Sequence, residues 1–277
     1  MSRTMAAPGA GSPGHASPAA YRQAGAALAA EWIKLRSLRS MLLTPVLGAV
    51  AFIGLADGQA RNNGANWPRL DAVQKARFDP LVINFNFVVL GILLFGVLGA
   101  LVATNEYGSG LIRTTLAATP QRVLVLAAKA VLAGLVSFAL AVVITFTVFL
   151  TGQGILSGAQ APHVSLGDHN VLLHLLGNVY YMTAAGLIGL FTGVLVRSAA
   201  AAITSMFGLL LVLPLLADKI TPDTVTRHTV PYLPANLGDE MLHHHTGLSP
   251  GVAVAGLAAW VLVLAAAAAF SLRGRDA

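Results

Sequence analysis

Long apolar runs dominate the chain and alternate with short polar segments. Six of them, at about 38–56, 81–103, 130–150, 171–196, 199–217 and 252–270, approach the roughly 20 residues that a helix needs to cross about 30 Å of hydrocarbon. The pattern predicts an all-α integral membrane protein with six transmembrane helices. The first run is the shortest, and Pro45 lies near its start, where a missing N–H matters least. Pro214, near one end of the fifth, predicts a kink of the kind tolerated in lipid when neighbouring groups re-satisfy the backbone. In the fourth, Gly189 and Gly193 form a GxxxG pair preceded by Gly186. That spacing lets another helix approach closely, with packing inside the chain the favoured use and dimerisation the other.

Ahead of the first span, Tyr21 to Ser40 reads as helix. Leu28, Trp32 and Leu35 share a face at i, i+4 and i+7, while Lys34, Arg36 and Arg39 can reach toward lipid headgroups. Trp32 suits the membrane interface, where an apolar ring with one N–H donor is favoured. The stretch is expected to be an amphipathic elbow helix lying in the cytoplasmic leaflet, with Trp32, Arg36 and Arg39 as interface anchors; the plainer alternative is an extension of the first span. Residues 1–20 are almost entirely Ala, Gly, Pro and Ser and carry no apolar core of signal-peptide length, so they are expected to be a disordered tail. The six-span membrane unit then runs over 21–277.

Composition closes off a soluble reading. Apolar residues make up 56% and charged residues 10%, against about 25% charged in an average globular protein, and the mean hydropathy is +0.74. The net charge of +6 does not point to nucleic acid, because the basic residues sit at the ends of apolar runs instead of clustering with aromatics. There is no cysteine, which excludes thiol nucleophiles, zinc–thiolate sites and disulfides. Of the 17 Lys and Arg residues, eleven fall on the side holding both termini and six on the other. The positive-inside rule then places both termini in the cytoplasm.

The spans carry no visible engine. Their apolar cores lack Asp, Glu, Lys and Arg, with Lys129 standing close enough to a cytoplasmic end to snorkel to the headgroups. An ion-coupled carrier needs an intramembrane acid or base, and an intramembrane hydrolase needs converging catalytic groups; His174, near the external end of the fourth span, reads as interfacial. The phosphate-cradling motif G-x-x-x-x-G-K-[ST] is missing, since none of Lys34, Lys75, Lys129 and Lys219 follows a glycine. Consecutive His243, His244 and His245 would point about 100° apart on a helix and so do not converge on one ion; no metal site is expected. Asn84 and Asn86, early in the second span, are candidates for lining a substrate route or for interhelical hydrogen bonds.

The segment after the second span is the most informative. It runs Thr104-Asn-Glu-Tyr-Gly-Ser-Gly-Leu-Ile-Arg-Thr-Thr-Leu-Ala-Ala-Thr-Pro-Gln-Arg122. Ser109 can cap a short helix whose Leu111, Thr115 and Leu116 share a face, and Thr119-Pro120 is an N-cap/N1 pair that starts the long helix of the third span. A short surface helix of this kind is a good docking element for a soluble partner. Glu106 and Arg113 can pair with each other, with a partner, or stand solvated at helix ends; Arg122 and Lys129 read as headgroup anchors.

EWIKLRS before the first span, NEYGSGLIRTTLAATPQRVLVLAAKA after the second, VPYLPANLGDEML before the last and the ending LRGRDA together resemble bacterial permease subunits of ABC-2 type transporters, over roughly residues 25–277. Leu111 departs from the pattern, since a small polar residue commonly follows the glycine. The resemblance implies a plasma-membrane half-transporter without its own ATPase and without a directly bound cofactor. It would pair with a second permease subunit and two ATPase subunits that hold ATP and Mg. It implies export along the subunit interface near the second and fifth spans, and a re-entrant segment within 218–250. Glu106, Gly110, Leu111, Ile112, Arg113, Leu116, Pro120 and Arg122 would form the ATPase-coupling region. The contrasting readings are an ion-coupled carrier or intramembrane enzyme, and a non-transporting assembly or immunity factor. The substrate is not legible.

Overall fold

The computed structural model describes residues 18–37, 39–108, 122–220, 228–243 and 247–274. Among them there are helices and no strand. Helix α1 (Pro18–Ser37) precedes α2 (Arg39–Asn66), then come two short helices, α3 (Ala72–Ala76) and α4 (Pro80–Asn84), and the long α5 (Val88–Gly108), α6 (Arg122–Gly158) and α7 (Val171–Val196). Helix α8 (Ala199–Phe207) continues through a wide turn into α9 (Leu213–Ile220), followed by α10 (Pro234–His243) and α11 (Pro250–Gly274). Six helices are long and apolar enough to span a membrane: Leu43–Arg69, Val88–Gly108, Arg122–Gly158, Val171–Val196, Ala199–Ala217 and Pro250–Gly274. The expected count and order of spans, and the preceding helix, are those observed.

Three span limits differ from the hydropathy windows, each for a local reason. Helix α2 runs on past Ala56 because Asp57 is satisfied inside the bundle, its Oδ1 accepting the Thr151 hydroxyl at 2.6 Å. The second span begins at Val88 and not at Leu81. Asp79 and Pro80 start a helix of their own, Asp79 Oδ1 accepting the N–H groups of Leu81 (2.8 Å) and Val82 (3.1 Å), and that helix ends at Asn84. Helix α6 is 37 residues long, about 55 Å at 1.5 Å per residue and so well beyond the hydrocarbon thickness. Its polar residues near one end are held: Gln153 donates to Pro80 O (2.8 Å) and accepts from Val164 N (2.8 Å).

Helix α7 is the central post. Its most apolar window is 72% buried within the chain, against 17% for each of the last two spans, and it packs against α5, α6, α8, α10 and α11. The closest approach is to α5. A Cβ on Gly99 would collide with Gly186 O, one on Gly189 with Gly96 O, and one on Gly193 would lie 2.8 Å from Ala100 O. The Gly186/Gly189/Gly193 row is therefore packed inside the chain against small residues of α5, as the spacing predicted. Asn178 of α7 donates to Thr145 Oγ1 of α6 at 2.9 Å, both side chains fully buried, a polar tie suited to lipid, where apolar contact alone gives little drive to associate.

The fifth span absorbs Pro214 without a break. Residues Gly208–Val212 form a π turn in which Leu213 N bonds to Gly208 O, and the wider turn makes room for the ring of a residue that has no N–H to give. Beyond it, α10 packs back onto α7 and α11. The Tyr181 hydroxyl donates to Ala235 O at 3.1 Å, Gly238 lies directly against the Tyr181 ring, and Trp260 Nε1 donates to Tyr232 O at 2.9 Å.

The seam makes a direct prediction. Gly189→Ala and Gly99→Ala each force backbone apart and should lower stability by about 1–3 kcal/mol, the usual range for overpacking. Gly54→Ala, where nothing lies within 4 Å, should cost nothing and gain helix propensity. Thermal unfolding of the three variants in one detergent reads the difference.

Candidate functional site: a charge cluster at one end of the bundle

The ends of α5 and α11, the beginning of α6 and the body of α1 meet at the same end of the bundle. A small apolar core lies just above, with Ala103, Leu126, Leu190, Val194, Ala268 and Leu272 among its buried members. Into this end project four charged side chains from three helices. Lys129, in the second turn of α6, is 6% exposed and sits between Glu31 of α1 (Nζ to Oε2, 2.6 Å) and Glu106 of α5 (Nζ to Oε1, 2.7 Å). Lys34 of α1 reaches the same two acids, Glu31 Oε1 at 2.7 Å and Glu106 Oε1 at 3.0 Å. Glu31 and Glu106 are 4% and 6% exposed.

Two positive and two negative groups thus form a neutral quartet in which Glu31, Glu106 and Lys129 are buried and Lys34 is part-exposed. Burial of such charges is costly, and attraction repays it only where geometry is good and hydrogen bonds are made; every cross-pair here is within 3.0 Å, with Glu106 bonded through Oε1 and its Oε2 buried without a hydrogen bond. Burial is the largest single influence on Glu31 and works against its charge, but the charge and hydrogen bonds of Lys129, with those of Lys34, together hold its carboxyl below the usual carboxylate range. Burial likewise opposes the charge of Lys34, and the bonds and charges of Glu31 and Glu106 overcome it and raise its ammonium above the usual value.

Neighbouring contacts tie further helix ends to the quartet. Arg122, at the first residue of α6, donates from Nη1 to Leu272 O in the last turn of α11 at 2.9 Å, where the carbonyls have no helical partner. Arg197 closes α7 in a left-handed conformation, its N–H bonding Gly193 O at 2.9 Å, and its guanidinium lies 5.5 Å from the centre of the Tyr107 ring of α5. Ala103, Glu106, Tyr107, Arg122, Lys129 and Leu272 line a shallow cleft between these helices.

Several sequence expectations change here. Lys129 does not snorkel to headgroups: two carboxylates hold it inside. Lys34 likewise turns inward, so the face of α1 that meets the protein carries Glu31 and Lys34, while Trp32 is 50% and Ile33 66% exposed. The span helices do carry charge, because Glu106, Lys129 and Asp57 lie within α5, α6 and α2, outside the apolar windows but inside the helices. Arg122 is held by α11. Asn84 and Asn86 are not brought together: Asn84 is 1% exposed, packed against Gly152 of α6 with neither amide atom hydrogen-bonded, whereas Asn86 is exposed. Gly110, Leu111, Ile112, Arg113, Leu116 and Pro120 lie outside the described residues, as do His244, His245 and the side chains of Arg36, Arg39 and His243. Sequence reading gave no role to Glu31, Tyr107 or Arg197; the signal available for Glu31 was its i, i+3 spacing from Lys34.

Removing Lys129 leaves two buried carboxylates to share one lysine. Lys129→Ala should therefore cost about 3 kcal/mol or more of stability, and adding Glu31→Gln to it should recover part of the loss, both read by thermal unfolding. The pH dependence has a definite sign. A depressed Glu31 contributes stability that is present above its ordinary value near 4.5 and is lost as pH falls through the lower folded value. A raised Lys34 contributes stability that is present below its ordinary value near 10.5 and is lost as pH climbs through the higher folded value. The stability gap between wild type and Glu31→Gln should be constant at neutral pH and close on acidification below about 4.5.

A search of curated proteins gives no match to the chain. A family model described as ABC-2 family transporter protein matches residues 27–215, more than half of the 277 residues and a stretch that includes all four members of the quartet and the first four spans in full. With six apolar helices and this match, the protein is a multi-pass membrane permease belonging to the ABC-2 family of transporters.

Proposed function

We propose that this chain is the membrane half of an ATP-binding-cassette exporter, powered by a separate ATPase that holds ATP and Mg and docks at the end of the bundle where α1, α5 and α6 converge. Two ATPase copies and a second permease subunit, identical or paralogous, complete the assembly. The permease itself carries no catalytic step. The observation that supports this most is the placement of the charge quartet: Glu106 lies three residues before, and Lys129 eight residues after, the segment 109–121 that joins α5 to α6. A force applied to that segment therefore reaches a rigidly paired base shared by two spans and by α1.

In this reading Gly110, Leu111, Ile112, Arg113, Leu116 and Pro120 form the contact that the ATPase pushes, and Glu106 and Arg122 fix its two ends to the bundle. The same end faces the cytoplasm of a bacterial cell, as the excess of Lys and Arg on that side supports, and both termini are cytoplasmic. The lipid-facing surfaces carry large apolar side chains such as Leu47, Phe138, Leu215 and Phe270.

Mass spectrometry of the protein extracted mildly from its own membrane should recover an ABC ATPase in near-stoichiometric amount. Arg113→Glu should reduce that recovery at least tenfold while membrane insertion is normal. Absence of an ATPase across several mild detergents overturns the partner reading, and unchanged recovery with Arg113→Glu removes Arg113 from the contact.

A further inference from the structure

The quartet divides into two pairs that are each neutral on their own. Glu31 and Lys34 belong to α1 and bond to each other at 2.7 Å; Glu106 and Lys129 belong to α5 and α6 and bond to each other at 2.7 Å. Of the quartet's four ion pairs, two join α1 to the spans, Lys129 to Glu31 at 2.6 Å and Lys34 to Glu106 at 3.0 Å. Glu31 also uses different oxygens for its two lysines, Oε1 for Lys34 and Oε2 for Lys129, so losing one bond leaves the other intact.

We infer that α1 is a reversible arm, docked on the α5–α6 base by charge and able to leave it without stranding a charge on either side. Separation ordinarily fails for buried ion pairs because removing one partner leaves an unpaired charge behind. Here each side keeps an acid with its base: the departing arm carries an i, i+3 pair of the kind that is stable on an exposed helix, and the base keeps Lys129 on Glu106. The apolar surface of α1 that would be uncovered is small among the side chains described: Trp32 and Ile33 are 50% and 66% exposed, and Ala27 and Leu28 are half-buried. The arm therefore has two electrostatically satisfied positions, the property required of a bistable element. The arrangement is independent of whether an ATPase drives transport.

The chain has no cysteine, so spin labels can be placed without a prior background change. Labels at Ile33 and Val131, exposed on α1 and α6 at 66% and 51%, report the arm's position by pulsed electron paramagnetic resonance in phosphatidylcholine nanodiscs. Wild type should show a short docked distance and a second, longer component. Lys129→Glu, which sets three acids against one base, should make the long component dominant.

The decisive variant is the charge exchange Glu31→Lys with Lys129→Glu. It preserves both cross-contacts and overall neutrality, yet puts like charges on each side, so the arm cannot leave without stranding two of each sign. It should show the short distance alone, the long component falling at least tenfold. A static clamp predicts instead that the exchange reproduces the wild-type distribution; that result, or a wild type with no long component, overturns the inference. If Lys129→Glu does not fold, Glu31→Gln with Lys34→Gln leaves the Glu106–Lys129 pair intact and should raise the long component several-fold; an unchanged short distance there shows that charge does not dock the arm.

Discussion

Helices in lipid gain little from hiding apolar surface, because the acyl chains are as apolar as the side chains they would exchange for. What can bring them together is close backbone approach and the pairing of polar groups, and this bundle depends on the first of these along the α5–α7 seam. Where Gly99 faces Gly186 and Gly189 faces Gly96, no Cβ fits. The two helices are held at a separation that only glycine permits, and α7 can then serve as the post on which α6, α8, α10 and α11 rest. The Asn178–Thr145 bond and the Tyr181–Ala235 bond fix rotation about that post, since each is satisfied at one angular setting.

The seam also sets the charged end. Gly193 and Ala100 continue it toward the last turns of α5 and α7, which brings Tyr107 under Arg197 and carries Glu106 to Lys129. The quartet is therefore built on rigid elements: Glu106 stands on a seam helix, Lys129 on α6, which packs against α7, and Glu31 and Lys34 on α1. The result is a base in which two span ends are fixed to each other, and a third helix, α1, packs along α6 and is tied to the base by two ion pairs.

The sequence was read well where one physical signal dominates. Six apolar runs, the helix ahead of them and the internal use of Gly186, Gly189 and Gly193 all follow from length, hydropathy and residue size. The limits of the spans were less legible, because a hydropathy window ends at the first charge whereas a helix ends where its backbone loses partners. Asp57, Glu106 and Lys129 all fall in that gap. Each looked like a boundary marker, and each is a side chain satisfied by a residue distant in sequence: Thr151 for Asp57, Lys129 for Glu106, Glu31 for Lys129. Lys34 and Lys129 were read as headgroup anchors by the same logic, since a lysine at a helix end is as well placed for lipid as for a buried acid. The choice between them rests on a tertiary contact, between α1 and α6, for which local pattern carries no signal.

The central claim is that work enters this molecule at the end where α1, α5 and α6 meet. A cryo-electron microscopy structure of the full chain with its nucleotide-loaded partner tests it most directly. The partner should be seated on the segment between α5 and α6, with Glu106 and Lys129 still paired beneath it. A partner bound at the opposite end of the bundle, beside α4 and α10, contradicts it.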